Sequence, residues 1–326
     1  MNKNLKLVLI VLALGYQTAS ATSLLETFGS GANQFSMEFV TIGNPNNAAD
    51  TTGTPNPAGS VAYVYNLAKH EVSRDMITKA NSAGSLGVTM SDMSSYGGNG
   101  VNQPASGISW NEAAMYVNWL NTSTGGKAAY KFDGSGNFQL WSSTDEGYNA
   151  NNMFRNSLAK YVIASSNEWY KGAYGNLDGT WNNFATGRDS VPTAVASGTA
   201  DNTAVYGGSA GGVYGPAEVT SAGGLSPWGT MGQGGNMFEF METARDGIND
   251  IAGESRDMRG GGYTIISAAA PSTLSSSYRS MYGENPLVGG ETVFRVANVS
   301  VPEPSALSLL AIGLSGLALV RRRKQS

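Results

Sequence analysis

Any chemistry in this 326-residue chain must be built without cysteine and around a single histidine. A thiolate nucleophile, a disulfide, a redox pair and a cysteine-ligated metal are therefore all excluded. His70 cannot form a multi-histidine metal centre alone, and its place at a strand end beside Glu71 marks it as structural. Glu239, Glu242 and Asp246 could bring carboxylates near one another. Nothing in their spacing sets the separation that acid–base hydrolysis needs, so a solvated acidic face is the expectation. Asp133-Gly134-Ser135-Gly136-Asn137 has some character of a calcium loop, but Asp-Gly between two short apolar segments is a hairpin signal. The Gly-rich stretch at 207–212 lacks the strand, helix and Lys-Ser/Thr pair of a phosphate-binding loop.

The elements that must position these residues sit in a chain with 43 glycines and only 13% charged residues. That is roughly twice the usual glycine and half the usual charge, the composition of a loop-rich globular protein. Period-two apolar patterns predict strands at 35–42, 61–67, 161–164 and 293–299. Ser109-Trp110-Asn111-Glu112 and Ser165-Ser166-Asn167-Glu168 are capping boxes, each opening a helix, and a third helix is expected from Ser73. Long polar loops fill 43–59, 84–103, 176–215 and 245–257, with no repeat and no linker. One domain over residues 22–300 is the simplest organisation.

Several motifs in that body resemble, in order, those of the formylglycine-generating (sulfatase-modifying factor) family. Lys69-His70-Glu71-Val72-Ser73 is similar to its K-x-E-V-T, and Ser109-Trp110-Asn111-Glu112-Ala113 to S-W-x-D/E-A. Glu168-Trp169-Tyr170-Lys171-Gly172-Ala173 resembles E-W-Y-K-A-A. Gly235-Asn236-Met237-Phe238-Glu239-Phe240 resembles the G-N-x-W-E-W signature, with phenylalanines for both tryptophans. Arg259-Gly260-Gly261-Gly262 and Phe294-Arg295-Val296 match the closing R-G-G-S and G-F-R-V. The resemblance implies a loop-rich α+β fold with little regular structure, related to C-type-lectin-like domains.

It also implies a calcium site formed by the carbonyls of Gly235 and Met237 and the side chain of Glu239. A fourth ligand of the family falls on Gly232 and is lost, and the alternative is that Glu239 caps or pairs locally. The two copper-binding cysteines of the family's oxidases fall on Ile265 and Ala270, which cannot ligate copper. One histidine cannot supply a relative's iron site either. The resemblance thus implies a non-catalytic member with no copper or iron; calcium is the one cofactor left open.

Both ends are addresses. Lys3 and Lys6, an apolar run at 7–14 and Ala19-Ser20-Ala21 form a signal peptide over 1–21, with cleavage after Ala21. At the other end Pro302-Glu303-Pro304, an apolar run at 306–320 and Arg321-Arg322-Arg323-Lys324 resemble the PEP-CTERM sorting signal of Gram-negative bacteria. A short transmembrane segment at 306–320 with its basic stop inside would leave 22–300 outside. The resemblance implies processing of the 301–326 tail by an exosortase-type protease at the inner membrane, then delivery to the cell surface or the extracellular space. These ends hold six of the 20 basic residues and one of the 24 acidic ones, so the body carries −9. A body that acidic excludes nucleic acid as a partner.

The expected function is a cell-surface or extracellular-matrix binding module, with exopolysaccharide or a surface protein as its partner. Two alternatives stand beside it. One is a structural matrix protein without a ligand; the other is an enzyme with carboxylate chemistry near Glu239 or Glu242.

Overall fold

The computed structural model describes residues 23–207, 215–264, 270–280, 285 and 292–299. Ala21 with the signal peptide, Ile265, and the 301–326 tail with Pro302, Glu303, Pro304 and the 306–320 run lie outside the described residues. Among the described residues no helix is long and apolar enough to cross a membrane.

The chain enters through β1 (Ser23–Phe28), a strand the sequence did not mark, which pairs antiparallel with β2 (Phe35–Ile42). Alternation in β2 buries Phe35, Met37 and Phe39 on one face, as its period-two pattern requires. β3 (Tyr65–Ala68) pairs with the other edge of β2. It starts later than the pattern at 61–67 suggested, because the Val61 backbone is taken up by the preceding loop. Val61 N–H donates to Asn47 Oδ1 at 3.1 Å, and Asn46 N–H donates to the Val61 carbonyl at 2.9 Å.

Three helices follow their caps. α1 (Arg74–Gly84) is capped by Ser73, and α2 (Trp110–Thr122) by the complete Ser109–Glu112 box. The hairpin of β4 (Lys131–Phe132) and β5 (Phe138–Gln139) closes over Asp133, whose Oδ1 accepts from the N–H groups of Ser135 and Asn137. The hairpin reading of that segment holds. β6 (Tyr161–Ile163) leads into α3 (Ser166–Tyr174), capped by the Ser165–Glu168 box.

The second half is mostly loop. β7 (Thr193–Ala194) and β8 (Thr203–Ala204) form a short parallel pair. β9 (Phe238–Ala244) lies between antiparallel β10 (Arg256–Arg259) and, past α4 (Ala270–Thr273), parallel β11 (Thr292–Phe294). β12 (Val296–Asn298) then leaves that sheet and inserts between β3 and β6, giving a five-stranded sheet of order β1-β2-β3-β12-β6. The pattern at 293–299 is thus two strands in two sheets, broken at Arg295.

The core fills the space between the five-stranded sheet and α2, whose Ala113, Tyr116, Val117 and Leu120 are fully buried. Trp110 anchors it edge-on to Tyr130 and Phe138, and its indole N–H donates to the Met241 carbonyl at 3.1 Å. The fold class is therefore as expected: α+β, with few helices, short strands and long tied-down loops.

Candidate functional site

The second half of the signature, from Phe238, opens the strand β9. β9 places Glu239 opposite Arg259 on β10 and Val293 on β11, in the centre of the three-stranded sheet and away from water. An isolated carboxylate there would give up its charge. Arg295, at the break between β11 and β12, meets it with two nitrogens: Nη2 donates to Oε1 at 2.8 Å and Nε to Oε2 at 3.1 Å. Trp169 Nε1, from α3, donates to Oε2 at 2.8 Å. Arg295 also donates to the carbonyls of Ala68, Lys69 and Met231 at 2.7–2.8 Å. All five of its N–H donors are used. One guanidinium thus ties β9 to the end of β3 and to the loop before the signature.

Glu71 completes the cluster from the segment after β3. Asn236 Nδ2 donates to its Oε2 at 2.6 Å and the Met237 N–H also donates to the carboxyl, while Oε1 has no partner. Burial and then the Glu239 charge push the Glu71 carboxyl up to about 8, against the opposing pull of Arg295, Asn236 and Met237. Glu71 is protonated at neutral pH. Burial, helped by Arg295 and Lys69, lowers the His70 imidazole to about 4, so His70 is neutral there too.

A calcium ion held by Gly235, Met237 and Glu239 does not fit this arrangement. Both Glu239 oxygens already accept from Arg295, and a divalent cation would share the carboxylate with a buried guanidinium. Gly232 supplies no side-chain oxygen; a Cβ there would lie 3.4 Å from Glu71 Oε2, so the Glu71 carboxyl occupies the space beside it. Among the described residues no group of three His, Asp or Glu side chains gathers as a metal site.

The solvated acidic face expected for Glu239, Glu242 and Asp246 is also corrected. Only Asp246 is exposed. Glu242, fully buried, accepts from Arg155 Nε at 2.8 Å, Tyr130 Oη at 2.7 Å and Asn152 Nδ2 at 2.7 Å. Arg155 turns its other two nitrogens to Glu168, at 3.0 and 2.9 Å. Burial alone would raise the Glu168 carboxyl, but Arg155, Tyr63 and the Ser165 N–H bring it down to about 2. The capping-box glutamate of α3 therefore also anchors a second buried ion-pair network. Glu168, Glu239 and Glu242 each accept from an arginine, and Glu71 from Asn236 and Met237.

Of the two positions that the resemblance aligned with catalytic cysteines, Ala270 opens α4. At the C-terminal end of α3 the buried Lys171 Nζ donates to the Asn44 carbonyl at 2.8 Å, and the surface around it, lined by Asn176, Thr180 and Trp181, leaves no room for a water molecule. Lys171 appeared in the sequence only inside a motif, and its partners lie too far along the chain for any local signal.

Solved structures carry this architecture. The chain is similar to Treponema denticola variable protein 1, with 17% identity and a TM-score of 0.55 over 86% of this chain and 99% of that one. It is similar to CarF at 16% identity and a TM-score of 0.56, over 80% and 98% of the two chains. PvdO from Pseudomonas aeruginosa gives 17% identity and a TM-score of 0.50 over 84% and 97%. The fold is thus the formylglycine-generating-enzyme-like fold. No curated protein sequence matches the chain. The PEP-CTERM protein-sorting motif matches residues 300–324. That motif indicates export through a membrane-anchored sorting intermediate and recognition by an exosortase.

Proposed function

We propose that this chain is an exported, non-catalytic domain of formylglycine-generating-enzyme-like fold that acts as a binding module at the cell surface or in the extracellular matrix. The observation that carries the reading is the fate of its reactive-looking side chains. Glu239 is locked to the buried Arg295, Glu242 and Glu168 to the half-buried Arg155, and the chain has no cysteine. A scaffold with its carboxylates neutralised this way presents surfaces and recesses rather than a reacting centre. The sorting motif supports the surface location. The ion pairs take the structural place that the resemblance gave to calcium, and the apolar 306–320 run with its basic end serves as the transient membrane anchor.

The test is a ligand array of exopolysaccharide fractions and peptides, run beside a formylglycine assay on a sulfatase cysteine peptide. Saturable binding with no mass change in the peptide is the expected result. Flat responses throughout would favour a structural matrix protein, and release of a product would favour an enzyme.

A further inference from the structure

The five-stranded sheet sends both of its outer connections out at one end. β12 runs antiparallel to β3 and β6, and β1 to β2, which is itself antiparallel to β3. β1, β3 and β6 therefore all enter where β12 leaves. The registers place Ser23, Val40, Leu67 and Ala297 in one row across the sheet. Three strand spacings of about 4.8 Å separate the first from the last, so the two exits are at most roughly 14 Å apart. The sheet also curls until its edge strands meet. Lys160, just before β6, donates to Glu26 of β1 at 2.7 Å, and Tyr161 packs edge-on to Phe28.

That end is apolar where edge strands are ordinarily guarded by charge. Leu24 and Leu25 open β1 on opposite faces and are 39% and 67% exposed. Val64, directly before β3, and Leu158, three residues before β6, are 46% and 36% exposed. β1 carries no lysine, arginine or proline, the residues that natural edges use against unwanted pairing, and its one charge is paired to Lys160. The loop at 29–34, at the opposite end of β1 and β2, exposes no large apolar side chain. Exposed apolar side chains gathered in one place mark a contact with another apolar surface.

The tail says which surface. Val299 is tied to the sheet, its N–H donating to the Lys160 carbonyl at 2.8 Å. Six residues, 300–305, separate it from the apolar run at 306–320, and a fully extended chain of that length reaches about 25 Å. The 22–300 domain has a radius of gyration of roughly 19 Å. A tether that short does not let the domain carry its β12 exit round to the side away from the membrane.

We infer that the sheet end bearing Leu24, Leu25, Val64 and Leu158 seats on the lipid bilayer in the membrane-anchored sorting intermediate. This rests on the sorting reading of the proposed function and gives that intermediate a fixed orientation. The apolar side chains enter the interface beside the tail, and the Lys160 ammonium stays at the headgroup level. Pro302, Glu303 and Pro304 are then held close to the membrane surface for the protease, and the loop at 29–34 faces outward. Four apolar side chains hold a domain on a bilayer only marginally, so removal of the tail releases it.

Single-cysteine labelling tests it, since the native chain has no cysteine to compete. Leu25→Cys, Leu158→Cys and Ser30→Cys chains, each retaining the tail, are labelled with bimane. They are reconstituted into phosphatidylethanolamine–phosphatidylglycerol vesicles with and without nitroxide-bearing lipid. The labels at positions 25 and 158 should shift to the blue and lose most of their emission to the nitroxide. The label at position 30, in the outward loop, should do neither. Adding Leu24→Ser and Leu25→Ser to the Leu158→Cys chain should cut that loss to about half, two of the four apolar contacts being gone. The melting temperature should stay the same, because both leucines are exposed. Equal quenching at all three positions overturns the seat, since the domain would then tumble on its tether. So does quenching that the two serines leave unchanged. Spin labels at position 25 that couple between copies in double electron–electron resonance would put a second chain on β1, and that also overturns it. Vesicle flotation separates the two readings: a chain that floats with unquenched labels loses only the seat, whereas one that does not float loses the anchor as well.

Discussion

Replacing Glu71 with glutamine should stabilise this protein, and more so as the pH rises. The folded state holds a proton on Glu71 up to about pH 8, whereas an ordinary glutamate releases it near 4.5. Between those values the unfolded chain binds fewer protons than the folded one. The native protein therefore loses stability as pH rises through this window, by at most about 1.4 kcal/mol per unit. At pH 7 the accumulated penalty is on the order of 3 kcal/mol, an upper figure because Glu71 and Glu239 share the field of one arginine. Glutamine keeps an acceptor for Asn236 Nδ2 and the Met237 N–H and carries no titrating proton. Urea unfolding of native and Glu71→Gln chains at pH 5, 6, 7 and 8 reads the difference directly. The variant's advantage should be small at pH 5 and grow to a few kcal/mol by pH 8. Parallel profiles, or a variant that loses stability at pH 8, would mean that Glu71 is ionised and paired. Running each series in calcium and in chelator identifies that pair. A calcium effect confined to the native chain would place a cation where the argument places a proton.

Other outcomes follow from the same networks. Arg295→Leu should cost about 3–5 kcal/mol by leaving Glu239 charged and alone, and adding Glu239→Gln should recover part of it; melting temperatures of the single and double variants check this. Ser165→Ala removes the cap of α3 and should cost about 1 kcal/mol, read by urea midpoint. In an exosortase-positive host the tail should be removed, and alanines at Pro302, Glu303 and Pro304 should block that removal while leaving membrane insertion intact. An epitope placed after Gly29 and followed through membrane and extracellular fractions reads both.

What the sequence revealed of this fold was its local physics. The two capping boxes set α2 and α3 correctly because both partners of each box lie within one turn. β2 was legible because its alternation spans eight residues on one buried face. Contacts across the chain were not legible. Glu239 and Glu242 looked like a wet acidic face because their arginines lie 56 and 87 residues away. The segment at 293–299 looked like one strand because nothing local tells Arg295 to turn inward and send β12 into the other sheet. β1 escaped notice because its exposed leucines break the expected alternation. Lys171 and the Asn44 carbonyl it donates to lie 127 residues apart, and only folding brings them together.

The central claim, that this is an exported binding module, is tested most directly by where the native protein resides in its matrix. The measurement is the fraction of epitope-tagged protein that sediments with washed extracellular matrix from two exosortase-positive strains, one making its exopolysaccharide and one unable to. Retention with the matrix is expected in the first strain and release into the medium in the second, with free exopolysaccharide eluting the retained protein. Equal distribution between matrix and medium in the two strains would contradict it.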